Sequence, residues 1–138
     1  MAAYTEKVFI TNKNLYSVLP KDKTQDLLFI LGLLNSKLIS YLYINQLTQA
    51  SKDDFPQVTI KDVLSLPYPK INLENSKDIK LIVSKIADLK QQESNTTNPS
   101  DLEVIKRQVA SAEMAIDDLV FRLYGLTQEE IKIVEVVD

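Results

Sequence analysis

Leu27-Leu28-Phe29-Ile30-Leu31-Gly32-Leu33-Leu34-Asn35-Ser36-Lys37-Leu38 is the stretch that decides how this 138-residue chain folds. Leu27, Leu28, Leu31, Leu34, Leu38 and Tyr41 recur at helical spacing, and Phe29, Ile30, Leu33 and Ile39 widen their stripe almost to a full circle. A helix apolar on nearly all sides belongs at the centre of a protein, with other elements around it. Gly32 inside that helix costs about 1 kcal/mol against alanine, so a neighbouring backbone is expected in close approach there. The run from Leu27 to Leu34 is far shorter than a membrane span.

Upstream, Val8-Phe9-Ile10-Thr11 is β-branched and aromatic and reads as a strand. Asn12-Lys13-Asn14 favours a turn, and Leu15-Tyr16-Ser17-Val18-Leu19 alternates up to Pro20, so an antiparallel hairpin is expected. Downstream, Gln46 to Asp54 is polar and small, a loop. Phe55-Pro56-Gln57-Val58 reads as a short edge strand. Thr59 and Asp62 are spaced as a capping box for a short helix. Leu66-Pro67-Tyr68-Pro69 forms an extended exit strand, because each proline pushes its predecessor out of the helical region.

The pattern then changes. Ile79, Ile82, Ile86 and Leu89 step along one helix face, and Leu102, Ile105, Val109, Ala112, Ile116, Leu119 and Leu123 step along another, alternating by three and four. Glu93 to Pro99 is a polar breaker between them, after which Ser100 and Glu103 are spaced as a capping box. Two such seams joined by a short loop predict an antiparallel helical hairpin. Gly125 is placed to stop the second helix, and Thr127 with Glu130 opens a last short one through Ile131 and Val134. The fold class expected is therefore α+β: a small mixed α/β domain over residues 1–70, then a helical hairpin with a short C-terminal helix over residues 71–138. The seam is expected first as intrachain core. Its second helix is longer than its first, which leaves about two turns for the α/β domain, another protein or a second copy of the chain.

Chemistry is limited by composition. The chain has no cysteine and no histidine, which excludes disulfides, thiolate sites, cysteine nucleophiles and serine–histidine triads. Two distant glycines make no phosphate loop. Asp53-Asp54 lacks further oxygen ligands at useful spacing for a hard cation. Asp117-Asp118 are helix neighbours that do not face one another, so they read as a solvated face. No catalytic residue and no metal site are expected. The N-terminus has no apolar stretch behind a basic start and is not a signal peptide, so a soluble, cytoplasmic protein without membrane contact is expected.

Net charge is −3, unevenly spread. Residues 1–70 carry eight lysines against six acids (+2), and residues 71–138 carry eight lysines and arginines against thirteen acids (−5). If phosphate is met anywhere, it is by the first half. Lys13, Lys21, Lys23, Lys52 and Lys61 lie in its loops and helix starts and are candidates for contacts to a nucleic-acid backbone. Gln46, Gln49 and Ser51, in the loop before Phe55, carry the amide and hydroxyl groups that reach base edges.

The order of these elements resembles the C-terminal region of TaqI-like adenine-specific DNA methyltransferases and Type IIG restriction–modification enzymes, and is more distantly similar to half of a Type I restriction specificity subunit. The residues that carry the likeness are Leu33 to Leu38, then Phe55-Pro56-Gln57-Val58 with Ile60-Lys61, then Leu66-Pro67-Tyr68-Pro69. The tail from Ile116 to Thr127 with Glu129-Glu130-Ile131 completes it. Asn98-Pro99-Ser100 lacks the second proline and the aromatic of the methyltransferase Asn-Pro-Pro-Tyr motif and reads as a linker. The resemblance implies a fragment of a larger enzyme, shortened at its N-terminus, that selects a duplex DNA sequence. It also implies that S-adenosylmethionine and adenine N6 methylation belong to a separate catalytic domain, with no cofactor in this chain. The helical pair, on this reading, is a spacer that holds the recognition module against that domain. The alternative is a helical protein-interaction or dimerisation module without DNA binding of its own, and an enzyme in its own right is the remaining reading.

Overall fold

A computed structural model describes residues 2–3, 5–6, 16–21, 26–47, 59–70 and 73–136. About three quarters of them are helical, and no strand occurs among them. The α+β expectation is thereby overturned. Tyr16 to Leu19, expected as the second strand of a hairpin, is irregular, and Tyr16, Val18 and Leu19 are all exposed. Their alternation marks no buried face, so no packing rewards a strand there. Leu66, before the first proline, is extended (φ −62°, ψ 136°), and Leu66 to Pro69 is non-helical but pairs with no strand among the described residues. The strands expected at Val8–Thr11 and Phe55–Val58 lie outside the described residues.

The apolar run forms two helices rather than one. α1 (Leu27–Leu34) and α2 (Lys37–Leu42) meet at a bend of 57°. Asn35 and Ser36 cause it, since short polar side chains compete for backbone groups. The Ser36 hydroxyl donates to the Leu33 carbonyl (2.7 Å) and accepts from the Ile39 N–H (3.4 Å), ending one helix and capping the next. α2 runs on into a wider turn at Tyr43–Leu47, where a loop had been expected from Gln46. α3 (Ile60–Ser65) starts on the expected Thr59–Asp62 capping box.

α4 (Leu73–Asn95) and α5 (Pro99–Tyr124) pack along one another, joined by three residues. Leu89 clusters with Ile105 and Val109 near that connection, while Ile79 and Val83 cluster with Ile116 and Val120 at the far end, so the helices run in opposite directions. α5 begins two residues earlier than expected. Asn98 is the N-cap, accepting from the Ser100 N–H (3.1 Å), and Pro99 takes the first helical position, where its missing N–H leaves no bond unmade. Gly125 ends α5 in the left-handed conformation (φ 70°), and α6 (Gln128–Glu135) opens on the Thr127–Glu130 capping box.

The main core gathers Phe29 and Leu33 of α1, Leu38 of α2, Ile79 and Val83 of α4, Ile116, Val120 and Phe121 of α5, and Val134 of α6. Thus α5 meets α2 as well as α4, and α6 packs on α2. None of the described helices is by itself long and apolar enough to cross a membrane.

Candidate nucleic-acid interface

The first half of the chain is held on the helical pair by a few specific contacts. Gly32 lets α1 lie directly on α4: a β-carbon there would stand 2.6 Å from Ile79 Cγ2 and 3.1 Å from Val83 Cγ2. The close neighbour is thus a pair of branched side chains rather than a backbone. Asp26 caps α1, accepting from the Leu28 and Phe29 N–H groups, and its second oxygen pairs with Lys80 of α4 at 2.5 Å. Burial pushes the Asp26 carboxyl up, but the Lys80 ammonium and the two helix N–H groups outweigh it and hold the acid below its usual range.

Asp117 of α5 accepts from the Lys37 N–H at 2.8 Å, filling an open donor on the first turn of α2. It is buried, which corrects the reading of Asp117-Asp118 as a solvated face; only Asp118 is exposed. Burial raises the Asp117 pKa, helped by Glu113 and Asp118 and opposed by Lys37. The misreading has a visible cause. Asp117 follows Ile116 and precedes Phe121 by one helical turn, so it lies inside the arc that three elements cover.

The exit segment after α3 is held as well. The Tyr124 hydroxyl donates to the Pro67 carbonyl at 2.7 Å, and Tyr68 meets the Phe29 ring edge-to-face with centroids 6.4 Å apart. Burial, with the nearby Tyr68, pushes the Tyr124 phenol up to about 12, so it stays a proton donor. Asn35 exchanges two hydrogen bonds with the Ala2 backbone (2.7 and 2.9 Å), tying the start of the chain to the α1–α2 bend. Sequence reasoning missed Tyr124, Asn35 and Asp26, whose roles depend on partners far away in the chain.

On this framework Lys61 stands exposed in the first turn of α3, and Lys21 is exposed on the segment before α1. Gln46 lies in the wide turn after α2. Lys13, Lys23, Gln49, Ser51 and Lys52 lie outside the described residues. Among the seam residues, Ile79, Leu89, Ile105, Val109 and Ile116 are buried, while Ile82, Ile86, Leu102, Leu119 and Leu123 are half-buried. Among the described residues no group of three acids could hold a metal ion. Among the described residues the geometry offers a braced helical platform with exposed lysines.

Residues 1–68 match the family of TaqI-like C-terminal specificity domains. This half of the chain belongs to that family. The likeness of the whole chain reaches further. A Methanocaldococcus jannaschii protein, provisionally named as a type II restriction enzyme and methyltransferase, is 33% identical over 125 residues. That alignment covers 90% of this chain and 10% of the relative, so the chain spans about a tenth of the relative's length. It must extend past the specificity domain into the helical pair, since 125 residues exceed 68. No solved structure matches.

Proposed function

We propose that this chain is the DNA sequence-recognition part of a restriction–modification enzyme. The specificity domain contacts duplex DNA, and α4 to α6 hold it in a fixed position relative to a catalytic domain carried elsewhere in a longer protein. The observation that carries the reading is the family match over residues 1–68, joined to a likeness that continues through the helical pair. A recognition surface works only if its support is rigid. The Asp26–Lys80 pair, the Asp117 cap, the Gly32 contact and the Tyr124–Pro67 bond supply that support. The parent enzyme, on this proposal, methylates adenine N6 with S-adenosylmethionine bound outside this chain, and acts in the cytoplasm.

Lys21 and Lys61 position the phosphate backbone, together with Lys13, Lys23 and Lys52, while Gln46, Gln49 and Ser51 reach base edges. Fluorescence anisotropy with a mixed-sequence duplex tests this. Binding should weaken steeply between low and physiological salt, and Lys61→Glu should reduce the slope of log K against log salt by about one. An absence of binding at low salt, with circular dichroism showing a folded chain, would overturn the reading for the isolated chain.

A further inference from the structure

Among the described residues a long groove runs between α4 and α5. Two adjoining cavities, of about 410 and 320 Å³, share Ile82 and Ala115 and run along it. Two of the apolar side chains that line it stand open, Leu81 at 73% exposed and Val104 at 52%. Side chains this exposed are costly in water when they gather on one face.

The charges beside the groove identify what covers it. One edge of α5 reads Glu103, Arg107, Ser111, Met114, Asp118, Arg122, at the three-and-four spacing of a single helix face. This row is self-complementary when reversed. Turned end for end about a point between Ala112 and Glu113, Glu103 falls on Arg122, Arg107 on Asp118, and Ser111 on Met114. α4 repeats the device. Asp78 and Lys85, which line the groove, exchange places about a point between Leu81 and Ile82. The two centres lie at the same height, because Leu89 packs with Ile105 while Ile79 packs with Ile116. A single two-fold axis across the groove therefore satisfies both helices, with small Ser111, Ala112 and Ala115 at the crossing. Like a closed homodimer contact, it brings one patch against itself.

We propose that the α4–α5 groove is a self-association surface, occupied by the same groove of a second copy with each helix antiparallel to its mate. The present partners do not compete strongly. Arg107 pairs with Glu103 one turn away, and Arg122 donates to its own helix at the Asp118 carbonyl; both are exposed contacts of small value in water. In the dimer the same groups face opposite charges on a drying interface, which fixes orientation and register. The seam of Ile79, Ile116 and their neighbours stays inside each copy, so dimerisation requires no unfolding.

Sedimentation equilibrium of the full chain, from roughly 10 µM to 1 mM, tests the proposal. The expected result is a reversible monomer–dimer equilibrium. Arg107→Glu and Asp118→Arg each weaken it by about tenfold or more, and the double reversal restores it to within about threefold. Arg107 and Asp118 of one chain lie roughly 16 Å apart along the helix, so mutual rescue cannot come from within a copy. A chain that stays monomeric at the highest concentration overturns the proposal and assigns the groove to another occupant, such as a further part of a longer protein. A dimer indifferent to both reversals, or one not rescued by the pair, overturns it equally. Circular dichroism of each variant separates loss of association from loss of folding.

Discussion

At Gly32 two opposed effects can be weighed. Alanine would gain about 1 kcal/mol of helix propensity. Its β-carbon would also stand 2.6 Å from Ile79 Cγ2, a methyl on a branched carbon that cannot swing aside. Overpacking of this kind costs about 1–3 kcal/mol, so Gly32→Ala is expected to destabilise by roughly 1 kcal/mol net. In an Ile79→Ala background the nearer obstacle is gone and only Val83 Cγ2 at 3.1 Å remains, so the same change should cost less, and a double-mutant cycle by urea denaturation would show the penalty shrink. Asp117 makes a second case, with pH as the variable. Its folded pKa is raised, chiefly by burial, so above the ordinary value of 3.8 the folded state holds the proton more tightly than the unfolded chain. Stability then falls as pH rises through the folded pKa and is regained on acidification. Asp117→Asn keeps the acceptor for the Lys37 N–H without a buried charge. It should match or exceed the native protein by up to about 1 kcal/mol near neutrality, and the advantage should vanish near pH 4. Asp117→Ala, which removes the cap, should cost about 1–2 kcal/mol at either pH.

The elements show what kind of information a sequence holds. The capping boxes at Thr59–Asp62 and Thr127–Glu130 and the stop at Gly125 were legible because each is decided by residues three or four apart. The periodic faces of α4 and α5 were legible for the same reason. The start of α5 was misplaced because two caps compete there, and Asn98 with Pro99 at the first position prevails over Ser100. Asn98→Ala should therefore cost about 1 kcal/mol in thermal unfolding, and Ser100→Ala only a few tenths. The break between α1 and α2 was hidden by the strength of the apolar pattern around Asn35-Ser36. Tyr16 to Leu19 failed as a strand because alternation reports a buried face only if something covers it. The attachment of the exit segment to α5 was not legible, since Tyr124 and Pro67 are 57 residues apart. Tyr124→Phe removes one hydrogen bond, worth about 1 kcal/mol, and should raise amide exchange around Leu66 to Lys70. It also changes the alkaline limb. The native phenol holds its proton to about pH 12 against 10.0 for an ordinary tyrosine, so the native protein loses stability as pH climbs through that interval. The variant should lose less, and its ultraviolet titration should lack the last tyrosinate step.

At the scale of the molecule, the family match ends at residue 68 while the packing does not. The main core takes side chains from α1 and α2, within the specificity domain, and from α4, α5 and α6 beyond it. Phe121, 2% exposed, lies in that shared core. Leu89, Ile105 and Val109 instead form a smaller cluster near the α4–α5 connection. These two places should respond differently to the same kind of damage. Phe121→Ala leaves a void costing about 3–5 kcal/mol, a large part of the roughly 5–15 kcal/mol available to a domain. Because the void touches both sides of the residue-68 boundary, amide protection should fall together in α1, α4 and α5. Leu89→Ala, costing about 2–4 kcal/mol, opens only the end of the helical pair. Protection should then fall around residues 86–109 and hold in α1 and the far half of α5. If Phe121→Ala loosened the helices beyond residue 68 while leaving α1 protected, the specificity domain would not depend on its helical support. Rigid placement of the proposed recognition surface would then have to come from outside the helical pair.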